Sequence, residues 1–371
     1  MEPMHTTSDV QEIEVALPTD LRSARRGRRD VLRHVFTWAG LFVSGAFAYF
    51  GVRHVQFSEV WTGLRTSSYW WLAPALVMLA VSVVIRAIRW RYLFRRETRP
   101  PFRPALTSVL IGYFFNSILP ARAGEAVRIV ALKRLAGTSV AESTGTVVVE
   151  RTYDTLCLLV LLFVTLPWLP PVRWVHTAVL LAIGLAAGLA IAIVALALFG
   201  ARPLRFALRA LTRFPHLSPE RVDLMADNLA HGFAALRRPA LALGALTWTM
   251  LGWLTLAVST WLLMLGFDLH VSFAGGLLVV IATSLAMILP SSPSAIGVFE
   301  AATLVALNPY GVADSKALSF ALVLHALNFI PYIVVGGLLL RGSLRSLLVW
   351  PPGSADAQTP HPPTHPGLHE S

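Results

Sequence analysis

The chain has 371 residues, 55% of them hydrophobic and only 14% charged, with a mean hydropathy of +0.63. One soluble core cannot bury that much apolar surface, so composition excludes an ordinary soluble enzyme and points to an integral membrane protein. The net charge of +11 lies in blocks between apolar runs, where it sets orientation and meets anionic head groups and does not form a nucleic-acid footprint; the single Cys157 excludes disulfide, iron-sulfur and zinc-cysteine frameworks.

Residues 1–34 are polar and end in Arg22, Arg25, Arg26, Arg28, Arg29 and Arg33, the pattern of a disordered basic tail. The first apolar run, 35–51, follows a leader long enough to favour an uncleaved signal anchor over a cleaved signal peptide. The second run, 70–93, carries Tyr69, Trp70 and Trp71 at one end and Trp90 and Tyr92 at the other, as interface belts do. Residues 106–119 fall short of the roughly 20 that a spanning helix needs. This run breaks at Ile118, Leu119 and Pro120 and resumes as a helix at Gly124 and Glu125. Ser139 and Glu142 then have capping-box spacing and start a helix through residue 166.

Further spanning runs are 174–199, 240–265 and 317–340, while 273–289 is a second short run. That run breaks at Ile288, Leu289 and Pro290, passes Ser292 and Pro293 as a cap for the second half-helix, and continues through Gly297 to Glu300. Between the spans, 202–238 is an interfacial amphipathic connector: Arg205, Arg209 and Arg213 recur on one face and Leu204, Leu208 and Leu211 on another. The 347–371 tail is rich in proline and histidine; His361, His365 and His369 read as disorder and not as a metal site.

Loop charge fixes the expected topology. With the amino tail in the cytoplasm and both short segments dipping in and returning, six full crossings put Arg95, Arg96, Arg99, Arg103, Lys133, Arg134, the seven arginines of 202–238, Arg341 and Arg345 inside. Only Arg53, Arg65, Arg173 and Lys316 fall outside. A full crossing by the first broken segment would move the arginine-rich connector outward, against the positive-inside rule. The expected fold is therefore an all-α integral membrane domain over 35–346, with about six full helices and two re-entrant broken helices of opposite orientation, arranged as an inverted repeat. Both termini are expected in the cytoplasm of a bacterial cell, with the domain in the inner membrane.

Ionisable residues inside such helices are costly, and each is a functional candidate. Glu150, Arg151 and Asp154 lie at least two turns into their helix, with Glu150 and Asp154 on one face and Arg151 placed to pair with Asp154. The alternative to a binding role is an ion-pair latch between helices. Arg86 and Arg89 sit at the cytoplasmic end of the second span, where snorkelling to the interface is the simpler reading. Arg122 and Arg128 flank the first half-helix start, whose free N–H groups and dipole favour a phosphate; a Glu125 to Arg128 pair closing the break is the competing reading. Glu300 needs an arginine, a cation or a proton, and His325 and Asn328 share a face of the last span, where helix-to-helix hydrogen bonding is the plainer role.

In that order the motifs Arg86-x-x-Arg89-Trp90, Asn116-x-x-x-Pro120-x-Arg122-x-Gly124-Glu125-x-x-Arg128, Glu150-Arg151-x-x-Asp154 and Pro290-x-x-Pro293-x-x-Ile296-Gly297-x-x-Glu300 resemble the flippase-like membrane domain of lysylphosphatidylglycerol synthases, over about residues 70–340. Members usually have Pro-Gly-Gly after the second break; here Ser294 and Ala295 replace the glycines, and His325 stands where relatives often have a basic residue or histidine. The resemblance implies lipid handling: movement of an aminoacylated, glycosylated, polyprenyl-linked or other anionic lipid between leaflets. The chain ends soon after Trp350, which leaves no room for an aminoacyltransferase domain, so a stand-alone member is expected and not the synthase. In this reading Arg122, Arg128 and Arg151 engage the head-group phosphate, while Glu125, Glu150, Asp154, Glu300 and His325 balance charge or take a head group or proton. No metal or other cofactor is implied, and a separate lipid-modifying enzyme is a possible partner. A membrane-embedded transferase or accessory protein in lipid-linked glycan or hopanoid pathways, with Asp154 or Glu300 as base, and a structural membrane partner remain as alternatives.

Overall fold

The computed structural model describes residues 55–119, 122–170, 239–287 and 292–348, with scattered positions between 42 and 206. The 1–34 tail, most of the 35–51 run, the 174–199 span and the 202–238 connector, nearly all of the 347–371 tail, and Pro120 and Pro290 lie outside the described residues. Every regular element among the described residues is helical: α1 (Phe57–Thr66), α2 (Leu72–Tyr92), α3 (Phe102–Ile118), α4 (Gly124–Ala136), α5 (Val140–Thr165), α6 (Pro239–Gly266), α7 (Phe273–Ala286), α8 (Val298–Leu307) and α9 (Asp314–Leu348).

Among the described residues, three stretches are long and apolar enough to cross a membrane: Tyr69–Tyr92, Leu241–Gly266 and Asp314–Gly342. Helix α5 matches them in length at 26 residues but carries Glu150, Arg151 and Asp154 partway along. Helices α3 and α7, with 17 and 14 residues, are shorter than the ~20 a crossing requires.

Small residues let the long helices approach closely, as membrane helices must when lipid is as apolar as leucine. Helices α2 and α6 run antiparallel along their lengths. Gly244 faces Tyr92, Gly252 faces Ile85, the Ser259 hydroxyl donates to the Ala75 carbonyl at 2.7 Å, and Gly266 faces Trp71. Helices α3 and α4 fold back as a hairpin so tight that a Cβ on Gly124 would overlap the Gly112 carbonyl oxygen and Asn116. Helices α7 and α8 form a second hairpin, with Gly275 near the start of α7 against Tyr310 just beyond α8.

Two apolar cores follow from this pairing. Val83, Trp90, Val109, Leu132 and Val147 fill one among α2, α3, α4 and α5. Leu79, Phe267, Leu278, Leu304 and Phe320 fill the other, among α2 and α6 to α9. Cys157 packs in a further cluster with Leu158, Leu161 and Trp253.

Helix ends show what the sequence pattern delivers and where it misleads. Helix α4 stops at Gly137, whose φ of 67° is the left-handed conformation glycine allows, and Lys133 and Arg134 occupy its last turn. Ser139 caps α5 by accepting from the Glu142 N–H at 3.5 Å, but the Glu142 carboxylate accepts from the Thr98 hydroxyl at 2.6 Å, so only half of the capping box forms. The second half-helix begins at Val298, not at Ser292 and Pro293. Gly297 is its N-cap, and the Glu300 carboxylate returns to the Gly297 N–H at 2.7 Å. Pro293–Ala295 is instead a separate 3-10 turn that contains the left-handed Ser294.

Candidate functional site

Helices α2, α4 and α5 bring arginines and carboxylates together beside α6. Arg89, only 2% exposed, forms an ion pair from Nη2 to Glu150 Oε1 at 2.8 Å and donates from Nη1 to Asp154 Oδ1 at 2.5 Å. Arg151 Nη2 lies 2.6 Å from Glu150 Oε1 and 3.2 Å from Asp154 Oδ2, while Nη1 is 3.5 Å from Glu125. Arg128 Nη2 approaches Glu150 Oε1 to 3.2 Å without hydrogen-bond alignment. Three guanidiniums thus converge on one carboxylate oxygen. A buried charge set of this kind persists only when its members are mutually compensated, because each ion has given up several kcal/mol of hydration.

Aromatic residues close the cluster. The Trp253 indole on α6 donates to Asp154 Oδ1 at 3.1 Å and lies beneath Arg86, 4.5 Å from the guanidinium carbon. Trp90 lies beneath Arg128 at 4.8 Å, and its own N–H donates to Thr146 at 3.1 Å. The Arg86 Nε reaches the Ser82 hydroxyl at 3.4 Å, and that hydroxyl donates to the Gly252 carbonyl.

The pairing differs in two respects from the simplest sequence reading. Arg89 does not snorkel to an interface; two carboxylates on α5 hold it inside the protein. Glu125 and Arg128 do not close the break with each other, since Glu125 faces Arg151 and Arg128 faces Glu150. The expected Arg151 to Asp154 pair is present. Arg151 is also the member that reaches outward, with its side chain 37% exposed, against 5% for Arg128.

Several polar atoms in this cluster are buried without a hydrogen-bond partner: the Nε atoms of Arg89, Arg128 and Arg151, Arg128 Nη2, Glu150 Oε2 and Asn116 Oδ1. Between α3 and α4, Arg122 sits in the left-handed conformation at φ 54°. The Arg122 carbonyl accepts from the Glu125 N–H at 3.0 Å.

Around the second break, the Glu300 carboxylate meets His325 Nδ1 at 2.5 Å, with Phe299 and Phe329 packed on the imidazole. Asn328, one turn further on, donates to the Leu324 carbonyl of its own helix. The two breaks touch: the Ser294 hydroxyl donates to the Ser117 carbonyl, next to Asn116, at 2.5 Å, and the Ser292 N–H donates to Ser44 of the first apolar run at 2.8 Å. Ser294 and Ala295 hold φ of 60° and 56°, a region where glycine is free of strain.

Sequence reasoning missed Trp253, Ser117 and Ser294 as participants. Trp253 carried a usable signal, since it lies mid-span, away from the interface positions that membrane tryptophans favour.

The sequence profile described as the lysylphosphatidylglycerol synthase TM region matches residues 37–336. The chain belongs to this family. Among its relatives, a UPF0104 membrane protein of Methanocaldococcus jannaschii is 23% identical over 238 residues, covering 64% of this chain and 97% of the relative. A protein named glycosyltransferase AglD of Haloferax volcanii is 29% identical over 358 residues, covering 87% of this chain. This chain spans about half, 56%, of that second relative's length. Membership in the lysylphosphatidylglycerol synthase transmembrane family, with the helices above, makes this a multi-pass membrane protein.

Proposed function

We propose that this protein moves a lipid with an anionic phosphate in its head group between the leaflets of the cell's inner membrane. The observation that carries the reading is the charge balance of the cluster. Arg89, Arg128 and Arg151 contact three carboxylates, Glu125, Glu150 and Asp154; Arg86, stacked on Trp253, and Arg122, whose carbonyl accepts from the Glu125 N–H, stand beside them, which leaves a surplus of cations in apolar surroundings. An anion satisfies such a surplus, and planar guanidiniums suit phosphate oxygens. Arg151 and Arg122 meet the phosphate first, with Arg128 behind them. Glu125 takes the place of the phosphate as counter-charge to Arg151 when no lipid is engaged.

Both hairpins are re-entrant in this proposal, the first from the cytoplasm and the second from outside, as two halves of an inverted repeat with cytoplasmic termini. Their short helices, the placement of loop arginines and the contact between Ser117 and Ser294 support it. A second reading, a transferase or accessory protein in a lipid-linked glycan pathway, draws on the similarity to a protein named as a glycosyltransferase. A separate lipid-modifying enzyme is a partner in either case.

Native mass spectrometry of the purified protein tests the phosphate site. The parent protein should retain anionic phospholipid, Arg122→Lys should retain part of it, and Arg122→Ala and Arg151→Ala should lose it. Equal retention by the parent and both alanine variants would place the phosphate elsewhere.

A further inference from the structure

The arginine cluster leaves one buried ionic group unused, the pair formed by Glu300 on α8 and His325 on α9, with side chains 13% and 11% exposed. Glu300 Oε2 accepts from the Gly297 N–H at 2.7 Å, and Oε1 lies 2.5 Å from His325 Nδ1. Two lone pairs do not approach so closely, so a proton lies between them and His325 Nε2 is left as the nitrogen that gains or loses one.

The surroundings isolate this pair. Phe299 and Phe329 flank the imidazole at 4.9 and 4.3 Å between ring centres. Helix α7 carries no ionisable side chain, and α8 carries none but Glu300. On α9, Lys316 is engaged with the Asp268 carbonyl and the Tyr332 ring with Tyr113; Asp314, Arg341 and Arg345 lie toward the ends of the helix. Tyr310 follows α8 at its far end. Among the described residues, the groups acting on the Glu300 carboxylate are His325 and the backbone N–H groups of Gly297 and Glu300.

One carboxylate therefore does two jobs: it orients His325 and it caps the half-helix. The capped segment is the one with backbone φ of 60°, 56° and 87° at Ser294, Ala295 and Gly297, tied to the first break through Ser117. A proton added at Nε2 makes an imidazolium held by Glu300. A second proton, placed on Glu300 Oε2, turns the oxygen that accepts from the Gly297 N–H into a donor and so frees that N–H. We propose that Glu300 and His325 form a proton-binding site whose occupancy resets the break between α7 and α8, so that the proton is the ion coupled to transport. The proposal rests on the transport reading for its last clause only.

The test uses the full chain in lipid nanodiscs, with Cys157→Ser and a reporter, Ile296→Cys, at a break position that is 60% exposed. Its rate of thiol labelling, corrected by Asn308→Cys, should change as the pH is lowered. That change should be lost in Glu300→Gln, which keeps a carbonyl to accept from Gly297, and in His325→Gln. A parent rate that does not respond to pH, or a response preserved in both variants, would overturn the proton site. In liposomes, an imposed pH gradient should alter lipid movement by the parent and not by the variants. Movement indifferent to the gradient would overturn coupling while leaving transport intact. If labelling responds as expected but no lipid moves, the transport reading fails and the proton site stands.

Discussion

Arg89 and Arg151 point at the same two carboxylates from opposite degrees of burial, and that difference separates folding from binding. Arg89 is 2% exposed and supplies both Glu150 and Asp154, so Arg89→Ala leaves two buried carboxylates with less compensation and should cost about 3–5 kcal/mol. Thermal unfolding in detergent checks this. Arg151→Ala, at a side chain 37% exposed, should unfold closer to the parent while losing retained lipid. A charge exchange, Arg151→Asp with Asp154→Arg, should not recover the protein, because Asp154 is also bound by Arg89 and Trp253 and the exchange sets a second guanidinium against Arg89. Sequence spacing made the Arg151 to Asp154 pair visible, since three residues apart on a helix is contact distance. The position of Arg89 was not visible, because its partners lie on another helix 61 and 65 residues away along the chain.

At the level of elements, the breaks carry the strain. Ala295 holds φ 56° with its side chain buried; for an alanine this conformation costs about 1–2 kcal/mol, against roughly 0.5–1 kcal/mol of added chain entropy for glycine. Ala295→Gly should therefore raise thermal stability slightly. Ser294→Gly relieves the same strain but forfeits the bond to Ser117, worth about 1 kcal/mol, and should come out near neutral. Gly124→Ala should prevent correct folding, since its Cβ would overlap backbone in α3; normal yield and a parent-like melting curve would contradict the tight hairpin. The short lengths of α3 and α7 were legible from the sequence, as was the end of α3 at Ile118. The second helix start was not, because Ser292 and Pro293 have the composition of a cap, whereas the Glu300 side chain, returning to Gly297, decides where α8 begins.

For the whole molecule, orientation follows from charge and from which hairpin faces which side. Lys133 and Asn308 are both exposed, the first near the end of α4 and the second just past α8. With Cys157 replaced, a cysteine at Lys133 should label from the cytoplasm and one at Asn308 from outside; labelling of both from one side would remove the inverted repeat. Hydropathy made the membrane class readable, because it is a sum over many residues. The cluster of arginines around Glu150 depends on how α2, α4, α5 and α6 pack, which no local pattern encodes.

The central claim is that the protein itself moves lipid. Liposomes containing only the purified chain and a tail-labelled anionic phospholipid, with an impermeant quencher outside, measure this directly, with and without an imposed pH gradient. The account predicts that inner-leaflet label becomes quenchable at a rate that rises with protein content and falls to the protein-free rate in the double variant Arg122→Ala with Arg151→Ala. A parent protein that leaves the inner-leaflet label as protected as protein-free liposomes do, under either condition, would contradict it.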